Sequence, residues 1–550
     1  MNPTTVTAKS SESELDRPAS AGRVALVGAG PGDEGLLTLR AAQLLGQADL
    51  VVAQREPGPR VRGLLRPGAE LVVTAGAGPG EPGAAGEPGK PGGSGAPDPV
   101  AAAQAGQFVV RLYAGDPLVD GAAEDAAACA EAGVEFEVVP GVPAATAVPA
   151  YAGIPLGGDT GELRVIHAGD ASRVAYGAGT LVVLDAEAGP ADLAKMLIAA
   201  GWPEAAPFAV TWDGTTTAQR TVTSTLGRIA PDLKAAGVSP LDAGKAVAVV
   251  GDSVKAQQSL SWYETKPLFG WRVLVPRTKT DAAAVSERLR ERGAVPEEVP
   301  TIAVEPPRTP QQMDRAVRGL VTGRFQWVAF TSVNAVRAIR EKFEEYGLDA
   351  RAFAGVKVAA VGDQTAAALK DFGIVPDLVP EGEQSGQGLA AAWPPYDDVL
   401  DPINRVLLPR ADIATEHLVA RLTELGWEAE DVTAYRTVRA APPPAPIREA
   451  IKGGGFDAVL FTSSSTVRNL VGIAGKPHAV TVIAVIGPQT AKTAAEYGLR
   501  VDVMAEKPSM AALVDALAEY GANQRAAALE AGEQPRKPSE RRRGGRRRIR

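Results

Sequence analysis

The stretch VALVGAGPGDEGLLTLRAAQLL, residues 24–45, runs an apolar strand into a glycine-rich turn and then into a helix. A dinucleotide site of this shape needs a third glycine three residues after Gly30, where helix and strand pack closely. Asp33 stands there instead. The turn therefore reads G-x-G-P-G-D, with an acid where a pyrophosphate would need bare N–H groups and no negative charge. A nicotinamide cofactor is disfavoured.

The surrounding chain is long. At 550 residues it exceeds one core and implies several domains. No apolar run reaches the roughly 18 residues a spanning helix needs, and the Ser-rich start lacks the apolar core of a secretory signal. A lone cysteine, Cys129, excludes an internal disulfide. That usage fits a reducing compartment, so a cytoplasmic protein is expected. His167, His417 and His478 have no Cys or His neighbours at ligand spacing, and no metal site is expected.

The net charge of −8 is unevenly spread. Residues 22–262 hold 16 Lys/Arg against 26 Asp/Glu, whereas residues 523–550 hold 10 against 3. The last ten residues, RRRGGRRRIR, could meet nucleic acid or an anionic lipid. They lack interleaved aromatics and read as a solvated tail of unknown partner. Residues 1–21 and 523–550 are expected to be disordered. From Gly80 to Pro97 six G-x-y triplets follow one another, so 76–99 reads as a flexible insert rich in polyproline II. Residues 263–271, YETKPLFGW, read as a linker between large domains.

Beyond that point the chain repeats itself. VLVPRTKTDAAAVSERLRERG from Val273 is echoed by VLLPRADIATEHLVARLTELG from Val406, and WVAFTSVNAVRAI from Trp327 by AVLFTSSSTVRNL from Ala458. VAAVGDQTAAAL from Val358 returns as IAVIGPQTAKTA from Ile483. Offsets of 133, 131 and 125 residues keep the element order and mark an internal duplication. Each unit is a β-branched strand, a short turn and an amphipathic helix, which predicts an α/β fold with parallel sheets. Thr331, Ser332, Thr462, Ser463, Thr365 and Thr490 fall at these turns. Such residues serve as N-caps, and turns of this kind in two lobes facing one cleft also offer N–H groups and hydroxyls to an anion.

These segments resemble a fusion in tetrapyrrole synthesis. FTS, VG..T, AYRT, FTSSS and IGPQT, in that order, are similar to uroporphyrinogen-III synthase over 272–522. VGAGPGD..LLTLRA, VVRLYAGDP, VVPGVPAATAVPAYAGIPL and QRTV..TL resemble the uroporphyrinogen-III C-methyltransferases, S-adenosylmethionine-dependent tetrapyrrole methylases, over 22–262. The synthase resemblance implies two α/β lobes, one of 272–302 plus 437–522 and one of 303–434, with TAYRTV on the return crossing. It implies a substrate, hydroxymethylbilane, that bears eight carboxylates and is handed over from hydroxymethylbilane synthase. It also implies no cofactor, and cyclisation with loss of water and inversion of the last ring. Tyr435 matches the tyrosine to which the family's proton donation is assigned. Thr331, Ser332, Thr365, Thr462, Ser463 and Thr490 then match contacts to the carboxylates, and Arg277 and Arg410, each closing a V-L-x-P-R strand, are either further carboxylate partners by their guanidinium geometry or pins for their own loops.

The methylase resemblance carries Pro31, Gly115, Asp116, Ala144 and Gly214 onto cofactor-contacting positions and implies an S-adenosylmethionine site. Much else departs from it. A Tyr-Asp pair after the second strand is Ala53-Gln54, a basic motif is overwritten by the G-x-y insert, and a methionine that packs on the cofactor is Asp185. Phe-Gly-Arg-Gly and Thr-His-Arg segments become Asp120-Gly121-Ala122-Ala123 and Gly157-Gly158-Asp159. From Leu112 to Leu163 there is no Lys or Arg but nine acids, a surface that repels a polyanion. The expected function is uroporphyrinogen-III synthase with a degenerate methylase-like domain. A bifunctional synthase and methyltransferase, or a two-lobed binding protein, are the alternatives.

Overall fold

A computed structural model describes residues 22–74, 97–119, 121–157, 162–186, 189–238, 245–276, 279–412 and 416–544. The predicted disorder of 1–21, most of the 76–99 insert and Arg277 lie outside these residues. So do the last six residues. The chain forms two compact units, Met1–Gly270 with Arg292–Ala294, and Trp271–Glu291 with Val295–Arg550.

The first unit holds two sheets. Strands β1 (Arg23–Gly28), β2 (Leu50–Ala53), β3 (Glu70–Val73), β4 (Phe108–Tyr113) and β5 (Glu135–Val139) make a parallel sheet in the order β3-β2-β4-β1-β5. Alternation sends Ala25 and Val27 to one core and Val24 and Leu26 to the other, so both faces are covered. The second sheet is mixed, in the order β6-β7-β10-β8-β9, from β6 (Leu163–His167), β7 (Thr180–Leu184), β8 (Pro207–Trp212), β9 (Arg220–Thr225) and β10 (Ala246–Val250). Its β6, β7 and β8 run the same way, because β10 is antiparallel to both β7 and β8.

The second unit also holds two sheets, which realise the duplication. One contains β11 (Arg272–Val275), β12 (Val295–Glu298), β18 (Ala458–Phe461), β19 (Val482–Val485) and β20 (Val503–Met504), ordered β12-β11-β18-β19-β20 and parallel. The other contains β13 (Ile302–Glu305), β14 (Trp327–Phe330), β15 (Lys357–Ala360), β16 (Arg405–Ala411) and β17 (Glu428–Arg439), ordered β13-β17-β16-β14-β15. Only β13 runs antiparallel to its neighbour. The chain leaves the first lobe after Val299 and returns beside that exit, where Ala440 N–H donates to Thr301 C=O at 3.3 Å.

TAYRTV lies in β17, which pairs with β16 along its first part and with β13 over Arg436–Arg439, just before the chain returns at Ala440. Two expectations are corrected here. The 263–271 stretch is not a free linker. Tyr263 is buried, its hydroxyl donates to Thr215 C=O at 3.1 Å, and its ring meets Tyr151 edge-on, so an aromatic anchor fixes it to the first unit. The stretch from 523 is ordered to Gly544: a helix spans Met510–Glu530 and Ser539 N–H donates to the carboxylate of buried Asp457 at 2.9 Å. A buried acid holds backbone that composition alone marks as polar tail. No helix among the described residues is long and apolar enough to cross a membrane.

Candidate functional site

In the second unit the repeated turns adopt matching conformations. Ser332 (φ −166°, ψ 156°) caps the helix Val333–Glu345, and Ser463 (φ −166°, ψ 162°) caps the helix Ser464–Ala474. Gly362 and Gly487 are both fully extended before the helices Asp363–Asp371 and Pro488–Glu496. Thr365 and Thr490, each the third residue of its helix, are both buried. Thr331 and Thr462 precede the capping serines and are half-buried. All six sit just past the C-terminal ends of parallel strands, the edge at which open α/β sheets bind ligands.

β17 brings Tyr435 to the same edge of the second lobe. Its pairing with β16 slips between Arg410 and Ala411, so Arg410 faces Thr433 and Ala411 faces Tyr435. This bulge breaks the alternation, and the consecutive side chains of Ala434 and Tyr435 both turn into the core. The Tyr435 ring is 8% exposed and its hydroxyl lies 2.9 Å from Ser332 Oγ. Ser332 Oγ also accepts from Ala335 N–H at 3.2 Å, the first-turn bond of an N-cap.

Arg410 is placed differently from the expected substrate partner. It is 5% exposed and closes on Asp431 of the adjacent strand, Nε to Oδ1 at 2.7 Å and Nη2 to Oδ2 in a second bond. That bond to Asp431 raises the guanidinium's pKa. The geometry pins β16 to β17. Sequence reasoning could not find this partner, because the diagonal approach of residues 410 and 431 depends on strand register.

The first unit keeps the glycine-built turn. Gly30 and Gly115 exchange both main-chain hydrogen bonds, at 3.2 and 2.9 Å. A Cβ on Gly28 would lie 2.5 Å from Gly115 C=O, and one on Gly141 only 2.0 Å from it, so three loops meet at backbone distance. Asp116 ties that junction by accepting from Gly141 N–H at 3.1 Å and Leu118 N–H at 3.1 Å. Asp33 accepts from Gly35 N–H at 2.7 Å and from Tyr151 OH at 2.8 Å. Pro31 lies in this turn, Ala144 opens the helix Ala144–Ala152, and Gly214 is packed so tightly that a Cβ would strike Val148.

Backbone strain concentrates on the second sheet. The positive-φ residues other than glycine among the described residues are Asp185 (56°), Asp213 (46°) and Thr215 (67°), and all follow β7 or β8. For β-branched Thr215 this is costly, and two bonds to the buried residue hold it: Asp33 N–H donates to Oγ1 at 3.0 Å and Gln219 accepts from its N–H at 2.8 Å. Asp185 accepts from or pairs with His167 Nδ1 at 2.6 Å, a contact the sequence reading missed. Arg111 on β4 donates to Asp125 at 2.8 Å, and Tyr113 OH bonds the same carboxylate. Burial, together with Asp125, pushes the Tyr113 hydroxyl's pKa upward.

A porphyrin biosynthesis protein HemD of Ruminiclostridium josui is 32% identical over 517 residues, covering 91% of this chain and 98% of that protein. The chain belongs to the HemD family. Within it, residues 283–515 match the model of uroporphyrinogen-III synthase HemD, and residues 23–230 that of tetrapyrrole (corrin/porphyrin) methylases. Siroheme synthase 1 of Klebsiella pneumoniae is 38% identical over 268 residues, 46% of this chain and 54% of that protein. A uroporphyrin-III C-methyltransferase structure from Thermus thermophilus, complexed with S-adenosylhomocysteine, aligns with 42% of the chain at 28% identity and TM-score 0.32. This HemD family member thus joins a synthase domain to a methylase domain, an enzyme of tetrapyrrole biosynthesis.

Proposed function

We propose that the second unit cyclises hydroxymethylbilane to uroporphyrinogen III, with Tyr435 as proton donor to the departing hydroxyl. The observation that carries this reading is the placement of the Tyr435 hydroxyl at the same strand edge as the Ser332-capped turn and the helix start that holds Thr365. Hydroxymethylbilane closes unaided to the wrong isomer, so the protein's contribution is to hold the chain in the geometry that leads to inversion. N–H groups along the turns at Thr331–Ser332 and Thr462–Ser463, with the hydroxyls of Thr331, Thr462 and Ser463, grip carboxylates without needing a strong base. Thr365 and Thr490 shape the same turns from beneath. Incubating the full-length protein with hydroxymethylbilane and separating the two isomers tests the reading. Type III product supports it, and type I alone defeats it.

For the first unit the reading is a methylase scaffold without useful turnover. Pro31, Gly115, Asp116, Ala144 and Gly214 would hold S-adenosylmethionine, and the close backbone contacts at Gly28 and Gly141, with Gly214 packed on the Val148 side chain, keep the cradle such a ligand needs. The cofactor would supply the methyl group. Its acceptor's proton has no recipient after the second strand, since the Gln54 amide accepts Ala114 N–H at 3.3 Å and an amide takes no proton. Asp125 pairs with Arg111, so a carboxylate-rich acceptor would meet a guanidinium that is already engaged. The bifunctional alternative predicts methylated product instead. Hydroxymethylbilane synthase as the supplying partner, and a cytoplasmic location, belong to the same proposal.

A further inference from the structure

Ser332 touches the reacting centre through another residue. Its Oγ bridges two groups, the Ala335 N–H at 3.2 Å and the Tyr435 hydroxyl at 2.9 Å. The equivalent serine of the other repeat, Ser463, caps its helix in the same way but has Ser465 Oγ at 2.8 Å where Ser332 has the tyrosine. The duplication therefore supplies an internal contrast: one cap is coupled to a phenol and the other is not.

We propose that Ser332 is a positioning residue for Tyr435, holding its hydroxyl and donating a hydrogen bond to its oxygen as the proton leaves. The inference rests on the donor reading of Tyr435. In the step, the Tyr435 O–H bond breaks and its proton joins the departing hydroxyl. The carbon–oxygen bond breaks with its electron pair on that oxygen, so water leaves and the phenol oxygen becomes anionic. Substrate becomes product plus one water, so the proton returns to Tyr435 when the closing macrocycle loses hydrogen from its ring carbon. A hydroxyl can rotate, and Ser332 O–H then points at the phenolate. The Ala335 N–H on Ser332 Oγ draws charge from that oxygen and makes its O–H a better donor, as the end of a helix dipole does.

The geometry favours this role over direct contact with a substrate carboxylate. Tyr435 is locked in a core cluster by the β17 bulge, so its hydroxyl position is fixed and the serine is the polar partner it meets. A hydrogen bond strengthened by developing charge lowers the barrier without tightening ground-state binding.

Steady-state kinetics of the full-length protein with hydroxymethylbilane tests the proposal. Ser332→Asn keeps an N-cap acceptor without the hydroxyl, Ser332→Gly removes the side chain at small capping cost, and Ser332→Thr retains both functions. Expected are a fall in kcat of about tenfold to a hundredfold for Asn and Gly, the range of one hydrogen bond to a charged group, with KM within about twofold. Thr should recover most of the rate. In a Tyr435→Phe background the Asn and Gly changes should add little. Ser463→Asn should instead raise KM. A rise in KM at constant kcat for Ser332→Asn and Ser332→Gly, or losses that multiply fully in the double variants, would overturn the proposal and place Ser332 directly on a carboxylate. Full type III synthesis by Tyr435→Phe alone would remove the donor reading and this inference with it, whereas the Ser332 outcomes leave that reading standing.

Discussion

Arg410 on β16 reaches diagonally to Asp431 on β17, two positions from its register partner Thr433, and is joined to it by two bonds of which one is Nε to Oδ1 at 2.7 Å. Asp431 is 46% exposed and Arg410 is buried, so removing the acid's charge weakens both bonds to a buried guanidinium. Asp431→Asn should cost about 1–2 kcal/mol of stability, less than a fully buried pair because of that exposure. Thermal unfolding should show the loss while the type III fraction stays unchanged. A change in KM without a change in Tm would mean that Arg410 serves the substrate.

Replacing Tyr435 by Phe keeps the ring in its cluster and deletes only the hydroxyl. The lost bond to Ser332 costs about 1 kcal/mol at most, and kcat/KM should fall by roughly 10² or more. Circular dichroism and a melting curve separate the two effects. An unaltered rate would return proton donation to the substrate or solvent.

Full-length protein given S-adenosylmethionine and enzymatically made uroporphyrinogen III should yield no species one or two methyl groups heavier by mass. Loss of a base costs about 10² to 10⁴ in rate, and the missing cations compound it. Dimethylated product formed as fast as the synthase product would establish the bifunctional alternative.

The glycine junction of the first unit should tolerate no side chain. Gly141→Ala puts a methyl 2.0 Å from Gly115 C=O, a backbone atom that cannot swing away. Calorimetry should show the first unit's transition shifted down by several degrees, with binding of S-adenosylhomocysteine weakened. Retention of both would show that the junction opens freely.

Glu137 on β5 accepts two bonds from Arg40, at 2.7 and 2.6 Å, and the Arg40 hydrogen bond holds its carboxyl below the usual 4.5. A depressed carboxylate contributes stability that is present above its unfolded value and is lost as pH falls through the folded one. Stability of the wild type should thus drop below about pH 4.5, and Glu137→Gln should flatten that drop. Both side chains are more than a third exposed, so solvent screens the pair and the difference stays small. Identical acid limbs in denaturation curves would remove the pair from the stability account.

The sequence by itself determined the α/β class and the duplication, because strand, turn and helix are written locally in periodicity and turn residues. Ser332 and Ser463 were legible as caps, and Gly362 and Gly487 as the openings of matched helices. The losses from the methylase pattern were legible too, since Ala53, Gln54 and Asp185 are substitutions in place. Tertiary structure alone decided what depends on register and distant packing. A one-residue slip in β17 sets whether Tyr435 points to core or solvent, and no local pattern encodes a bulge between strands that are 24 residues apart at that point. The same holds for Arg111 on Asp125, Arg410 on Asp431, and Thr215 held at positive φ by Asp33 and Gln219. The segment 263–271 and the stretch beyond 523 look like linker and tail in composition. Partners far along the chain, Thr215 for Tyr263 and Asp457 for Ser539, make them structure.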